Sequence, residues 1–131
     1  MWYHRHMTKL PDPNFILLYV KEVATSVSFY TSLLGRAPVD ASANFAMFAL
    51  SSGVLLGLWA RHDVEPAATA PAGCGEIGIT LASVEEVEAA HADWLGRGLT
   101  ILQPPTKMDF GFTFVAGDPD GNRIRVFCPA A

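Results

Sequence analysis

The sequence has few charged residues, and this shortage excludes several classes of protein. Only 17% of its 131 residues are Asp, Glu, Lys or Arg, and the formal net charge is −4, whereas a typical soluble domain carries about 25% charged residues. Disordered chains combine low hydrophobicity with high charge, but half of these residues are apolar. Binding of nucleic acid through its phosphates needs a basic surface, which an acidic chain does not supply.

Cysteines and long apolar runs are also scarce. Cys74 and Cys128 are the only two cysteines, too few for a disulfide-stapled secreted domain and too widely spaced for a CxxC metal motif. No uncharged apolar run approaches the roughly 18 residues of a membrane span, and residues 1–7 lack the apolar region of a signal peptide. We therefore expect a soluble cytoplasmic domain that uses neither a membrane nor nucleic acid.

The residues that are present run twice through one pattern. An apolar strand at 15–20 is followed by a helix at 23–34, whose apolar positions recur at helical spacing before Gly35. Ser83 and Glu86 form a capping box that starts a second helix after another strand. Further strands are predicted at 37–41, 45–50, 54–60, 76–82, 100–103, 112–116 and 123–128.

This repetition predicts an α+β fold of two βαβββ modules that form curved mixed sheets around a central hollow. The predicted divisions are an N-terminal extension (1–13), a first module (14–61), a linker rich in Pro, Ala and Gly (62–75) and a second module (76–129).

Two stretches of sequence resemble a known superfamily over residues 14–129. The first runs from Tyr19 to Gly35 and contains the pair Phe29-Tyr30, and the second runs from Phe114 through the turn Asp118-Pro119-Asp120-Gly121-Asn122 to Ile124. Both are similar to the vicinal oxygen chelate superfamily, which includes glyoxalases, dioxygenases and bleomycin resistance proteins. Leu58-Trp59, 76–79, 109–111 and Thr113-Phe114 also resemble phenazine-type antibiotic resistance proteins, which sequester a planar aromatic drug.

The resemblance implies where a metal would bind, and the residues at those places are unsuitable. Metal-dependent members carry His or Glu at four strand positions, which fall here on Phe15, Gly57, Glu76 and Arg125. Only Glu76 is a ligand type, and arginine stays protonated and repels a cation. We expect no metal and no cofactor. Glu76 and Arg125 either form an ion pair in the place of the metal or each face solvent.

Strand alternation then divides the side chains into two sets. Neighbours two residues away from the former ligand positions share their face, and that face mixes aromatics, glycines and charges, while the opposite face is uniformly aliphatic. The mixed face holds Phe15, Leu17, Tyr19, Leu55, Gly57 and Trp59 in the first module, and Glu76, Gly78, Thr80, Arg123, Arg125 and Phe127 in the second. We expect it to line the hollow, with Gly57 leaving room for a guest.

A loop predicted at 104–112 is a candidate lid over the hollow. Met108, Phe110 and Phe112 would contact the guest from this loop, and Phe45, Met47 and Phe48 are further candidates in the first module. Plain core packing is the alternative for each of them.

The function that fits these observations is metal-free binding of a planar aromatic compound, as in antibiotic resistance of the phenazine or bleomycin type. The alternative is a glyoxalase- or dioxygenase-like lyase or isomerase, metal-free with Glu76 as general base or with an atypical metal site. The resemblance also implies a homodimer, in which modules pair either within one chain or across the two chains.

Overall fold

The computed structural model describes residues 11–131, so most of the predicted N-terminal extension lies outside the described residues. Two βαβββ modules are present, which confirms the predicted fold class. The first contains β1 (Phe15–Val20), α1 (Val23–Leu34), β2 (Asp40–Ala41), β3 (Phe45–Ala49) and β4 (Leu55–Ala60), followed by a short 3₁₀ turn (Arg61–Asp63). The second contains β5 (Glu76–Thr80), α2 (Val84–Gly96), β6 (Thr100–Met108), β7 (Gly111–Gly117) and β8 (Arg123–Pro129).

Each module forms its own four-stranded mixed sheet. The orders are β1-β4-β3-β2 and β5-β8-β7-β6, so the first and last strands of each module are neighbours. These neighbours are parallel, with Phe15 opposite Leu55 in one sheet and Glu76 opposite Arg123 in the other. Because the helix of each module connects its first strand to the rest of the sheet, the helix covers only one face and leaves the other open.

Local sequence explains where the helices begin and end. The Ser83 hydroxyl accepts a hydrogen bond from the Glu86 amide, and the Glu86 carboxylate accepts one from the Ala82 amide, so the predicted capping box is present. Helix α1 ends at Gly35, which adopts the left-handed conformation (φ 66°) that glycine tolerates best. Neither helix, nor any other in residues 11–131, is long and apolar enough to cross a membrane.

The aliphatic faces of both sheets share one core. Leu18, Val20, Leu58 and Val126 are buried in a single cluster that contains residues of both modules. Helix α1 lies between the sheets, since its Tyr30, Leu33 and Leu34 surround the same small cavity as residues of β4, β5 and β8. The two sheets therefore meet through their helix-covered sides, and their open faces point away from each other.

Polar contacts fix this arrangement at the turn between β7 and β8. The buried Asp118 carboxylate accepts hydrogen bonds from the Tyr30 hydroxyl of α1 at 2.8 Å and from the Asn122 amide and side chain. The Asp120 carboxylate accepts one from the Lys21 amide at the end of β1, and another from Ser26. The Asp-Pro-Asp-Gly-Asn turn of the second module thus holds the first module in place.

Two predictions about strands were wrong. The strand expected at 37–41 is reduced to Asp40–Ala41, and the loop expected at 104–112 is a β-hairpin in which β6 continues to Met108. Pro104 and Pro105 are tolerated because β6 is an edge strand whose register shifts twice, between Ile101 and Gln103 and again before Thr106. The segment is part of the second sheet and not a separate lid.

Candidate ligand-binding site

The open face of the first module carries an apolar groove. Phe15, Leu17, Phe45 and Trp59 line about 360 Å³ of open space on this face. The Tyr19 and Phe45 rings stand nearly perpendicular to the Trp59 indole, with centroid distances of 6.5 and 6.3 Å. Phe15, Leu17 and Tyr19 of β1 are 41%, 40% and 36% exposed, although each is a large apolar side chain. A strand face of this kind is typical of a surface that is covered by another molecule.

Gly57 lies at the floor of the groove, opposite Leu17 in the register. An added Cβ at Gly57 would lie 2.5 Å from Leu17 Cδ2 and 2.8 Å from Phe15 Cε1. The space beside Gly57 that was predicted to hold a guest is therefore filled by these two side chains. The absence of a side chain at Gly57 lets Phe15 and Leu17 approach β4 closely, and Leu55 lies half-buried on the same face.

The structure corrects which residues of β3 reach the groove. Phe45 faces Trp59 and Met47 faces Gly57 in the antiparallel register, so both lie on the open face. Phe48 is fully buried on the other face, in the shared core. The prediction that Phe48 lines the hollow is wrong. Side chains alternate along β3, so its residues on the groove side are Phe45, Met47 and Ala49.

The open face of the second module is organised around Arg125. Its guanidinium donates to both carboxylate oxygens of Glu76, at 3.1 and 3.5 Å, so the ion pair is the one present of the two alternatives that the sequence left open. The pair joins neighbouring strands of one sheet. The Arg125 side chain is 19% exposed and that of Glu76 is 44% exposed, so solvent screens the attraction and the pair contributes little to stability.

Further contacts hold Arg125 in one orientation, and sequence reasoning missed two of the residues that make them. One guanidinium nitrogen lies 3.5 Å from the Gln103 side-chain oxygen and 3.4 Å from the Thr113 hydroxyl. The guanidinium carbon lies 5.6 Å from the centroid of the Phe110 ring, within the range of a cation–π contact. Thr113 could have been found by parity, since it faces Phe127 across β7 and β8. Gln103 could not, because the bulges in β6 change its register.

The hairpin residues that were expected to act as a lid lie in three different places. Phe110 is at the hairpin turn and packs edge-on against Phe127, with centroids 5.9 Å apart. Met108 is exposed, and its sulfur lies 3.6 Å from the side-chain nitrogen (Nε2) of Gln103. Phe112 packs against the shared core instead, because it alternates with Gly111 and Thr113 along β7. The placement expected for Phe112 is therefore wrong.

The residues present do not fit a metal ion. Of the four positions that carry ligands in metal-dependent members of the superfamily that this chain resembles, three are Phe15, Gly57 and Arg125, and the fourth, Glu76, has both oxygens occupied by Arg125. Across residues 11–131, no three His, Cys, Asp or Glu side chains are grouped as a metal site would require.

Comparisons with known proteins agree with the architecture. The family model described as the glyoxalase/bleomycin resistance protein/dioxygenase superfamily matches residues 13–126. The chain is 34% identical over 120 residues to the phenazine antibiotic resistance protein EhpR of Enterobacter agglomerans, covering 89% of this chain and 91% of that protein. It is 43% identical to a protein of Agrobacterium tumefaciens whose solution NMR structure matches with a TM-score of 0.83, over 93% of this chain and 100% of that one.

A more distant structure shares the fold. The crystal structure of a glyoxalase/bleomycin resistance protein/dioxygenase from Nocardioides matches with a TM-score of 0.80 at 23% identity, over 98% of this chain and 89% of that one. The match of the family model and the 34% identity to the resistance protein show that the chain belongs to the glyoxalase/bleomycin resistance protein/dioxygenase superfamily.

Proposed function

We propose that this protein binds a planar aromatic compound without a metal, in the cytoplasm, and that this sequestration gives resistance to an antibiotic of the phenazine or bleomycin type. The observation that carries the proposal is the apolar groove beside Trp59, open on a strand face that residues 11–131 do not cover. The similarity to a phenazine antibiotic resistance protein supports it.

The groove suits a flat apolar guest. Stacking on the Trp59 indole would contribute about 0.5–1.5 kcal/mol beyond the burial of area. Burial of the exposed parts of Phe15, Leu17 and Tyr19 would add about 25 cal/mol for each Å² removed from water. Since the lining side chains are apolar, polar groups of the guest would need partners elsewhere.

The second module offers those partners in our proposal. The Glu76 carboxylate remains partly exposed beside the fixed Arg125 guanidinium, and Phe127 and Phe110 supply aromatic edges next to them. A guest with one or two polar groups at its rim could pair with Glu76 or Arg125 while its rings lie on the groove.

Both faces can contact one guest only if two chains assemble, because the open faces of one chain point in opposite directions. We propose a homodimer in which the groove of one protomer faces the Arg125 side of its partner, which gives two equal sites. In this arrangement residues 14–61 and 76–129 act as the two units, and residues 62–75 connect them.

Isothermal titration with phenazine-1-carboxylate, alongside tryptophan fluorescence, tests the proposal. We expect saturable binding, and Trp59→Ala should weaken it by about 1–3 kcal/mol, as for a central aromatic anchor. Val39→Ala is the matched control, because Val39 is exposed and does not line the groove. Absence of saturable binding, or equal affinity of the Trp59→Ala variant, would overturn the proposal. Mass spectrometry of the recovered compound separates sequestration, which leaves it unchanged, from turnover.

A further inference from the structure

A cavity lies between the two modules, apart from both open faces. Its volume is about 140 Å³, and its walls come from α1, from β4 and the adjoining hairpin, and from β1, β5 and β8. Tyr30, Leu34 and Leu56 form the first-module side, and Ile77, Ile79 and Ile124 form the second-module side. Protein interiors rarely leave voids larger than a water molecule, so a space of this size in the shared core needs an explanation.

The chemistry of the walls decides what the cavity can hold. Tyr30 brings the only hydroxyl among the lining side chains, and that hydroxyl already donates to Asp118 at 2.8 Å. A water molecule needs two to four polar partners, which these walls do not provide. An apolar cavity of about 150 Å³ in another protein stays dry and binds benzene or xenon, and this cavity is of nearly the same size.

The cavity also has an opening. Ile16 lies on the helix-covered face of β1, yet it is 50% exposed, and it lines the cavity together with the exposed Gly78 of β5. Both residues are on edge strands, so the route from solvent passes between β1 and β5. A small molecule could enter there without separating the two sheets.

We infer that this cavity is a second binding site, which takes a small uncharged apolar molecule of about the size of benzene. The site is independent of the proposed groove, because it shares no lining residue with it. Its occupant would contact both modules at once and would stabilise their association, since a ligand that binds only the folded state raises stability.

Titration of benzene into protein with ¹³C-labelled methyl groups tests the inference. We expect saturable shifts of the Ile77, Ile79 and Ile124 methyl signals, together with a rise in the thermal unfolding midpoint. Ile77→Phe and Leu34→Phe, which fill the cavity from two different elements, should each abolish the saturable shifts of the remaining cavity methyls. Two filling variants are used so that one can fail to fold without losing the test. Leu102→Phe is the control, because Leu102 is exposed and lies outside the cavity.

Two results would overturn the inference. One is shifts confined to Leu17 and Leu55, which would place benzene on the open face of the first module alone. The other is saturable cavity shifts that persist unchanged in the filled variants. Trp59→Ala removes the groove but should leave the cavity response intact, so failure of the second site and failure of the proposed function can be told apart.

Discussion

Gly57 of β4 and Gly78 of β5 both lie on the open faces of their sheets, and the structure gives them different surroundings. A Cβ at Gly57 would clash with Leu17 and Phe15, whereas a Cβ at Gly78 would meet only Phe127 at an ordinary 3.8 Å. We predict that Gly57→Ala pushes the two side chains into the groove and weakens binding of phenazine-1-carboxylate at least fivefold, at a stability cost of about 1–3 kcal/mol.

Gly78→Ala is the matched control for this prediction. It should leave the free energy of urea unfolding within about 0.5 kcal/mol of the parent value. Equal effects of the two substitutions on affinity would show that the packing over Gly57 does not shape the groove.

Tyr30 couples the stability of the protein to alkaline pH. Burial raises the pKa of Tyr30 well above its ordinary value of 10.0, and the charge and hydrogen bond of Asp118 raise it further. The unfolded chain releases this proton near pH 10 while the folded chain keeps it, so the free energy of unfolding should fall as pH rises above about 10.

Tyr30→Phe should flatten that decline in urea unfolding measured between pH 8 and 11. At pH 8 it should also cost about 1.5–3 kcal/mol, because the Asp118 carboxylate loses a hydrogen-bond donor. Tyr19→Phe is the control, since Tyr19 is much more exposed. An unchanged pH slope in the Tyr30→Phe variant would contradict the argument.

Residue placement could be predicted where alternation alone decides it. Parity placed Phe15, Leu17 and Trp59 on one face and brought Glu76 near Arg125, because β1, β4, β5 and β8 are regular. Parity failed for Phe48 and Phe112, since their strands had not been tied in register to the others. The contact of Gln103 with Arg125 depends on bulges that have no simple signal in the sequence.

At the scale of elements, the two helices start differently. Ser83 caps α2 through the Glu86 amide, whereas Glu22 at the same place in α1 makes no side-chain capping hydrogen bond within the described residues. We predict that Ser83→Ala lowers the free energy of unfolding by about 0.5–2 kcal/mol. Glu22→Ser should raise it, because serine can cap α1. Thermal or urea unfolding of both variants measures the effect, and destabilisation by Glu22→Ser would contradict it.

The β6–β7 hairpin shows why one element escaped prediction. Pro104 and Pro105 indicate a loop, because proline cannot donate a ladder hydrogen bond. In the folded chain they lie on an edge strand, within the register shift between Gln103 and Thr106, where those donors are not needed. Tertiary position overrides the local signal here, and it moves the expected lid residues onto a sheet.

At the scale of the whole molecule, the sequence predicts two modules but not which of their faces meet. The aliphatic stripes of the two modules are alike, so they could cover either a module of the same chain or one of a second chain. In the single chain, the contacts of α1 and of the Asp118 turn bring the aliphatic stripes of its own two modules together. The open faces of the two sheets therefore lie on the outside. Those faces then have complementary character, with apolar rings on one and a fixed ion pair on the other.

A mixed dimer tests whether these faces meet across two chains. If each site combines Trp59 of one protomer with Arg125 of its partner, homodimers of Trp59→Ala or of Arg125→Ala contain no intact site. A heterodimer of the two variants should contain one intact site and one doubly altered site. Differently tagged chains can be purified as heterodimers and titrated with phenazine-1-carboxylate, with expected binding at parental affinity and half the parental stoichiometry.

If the modules pair within one chain, the heterodimer has no intact site and binds as weakly as either variant. A sedimentation mass near the 14.1 kDa of a single chain, at concentrations where the guest binds, would contradict the dimer itself.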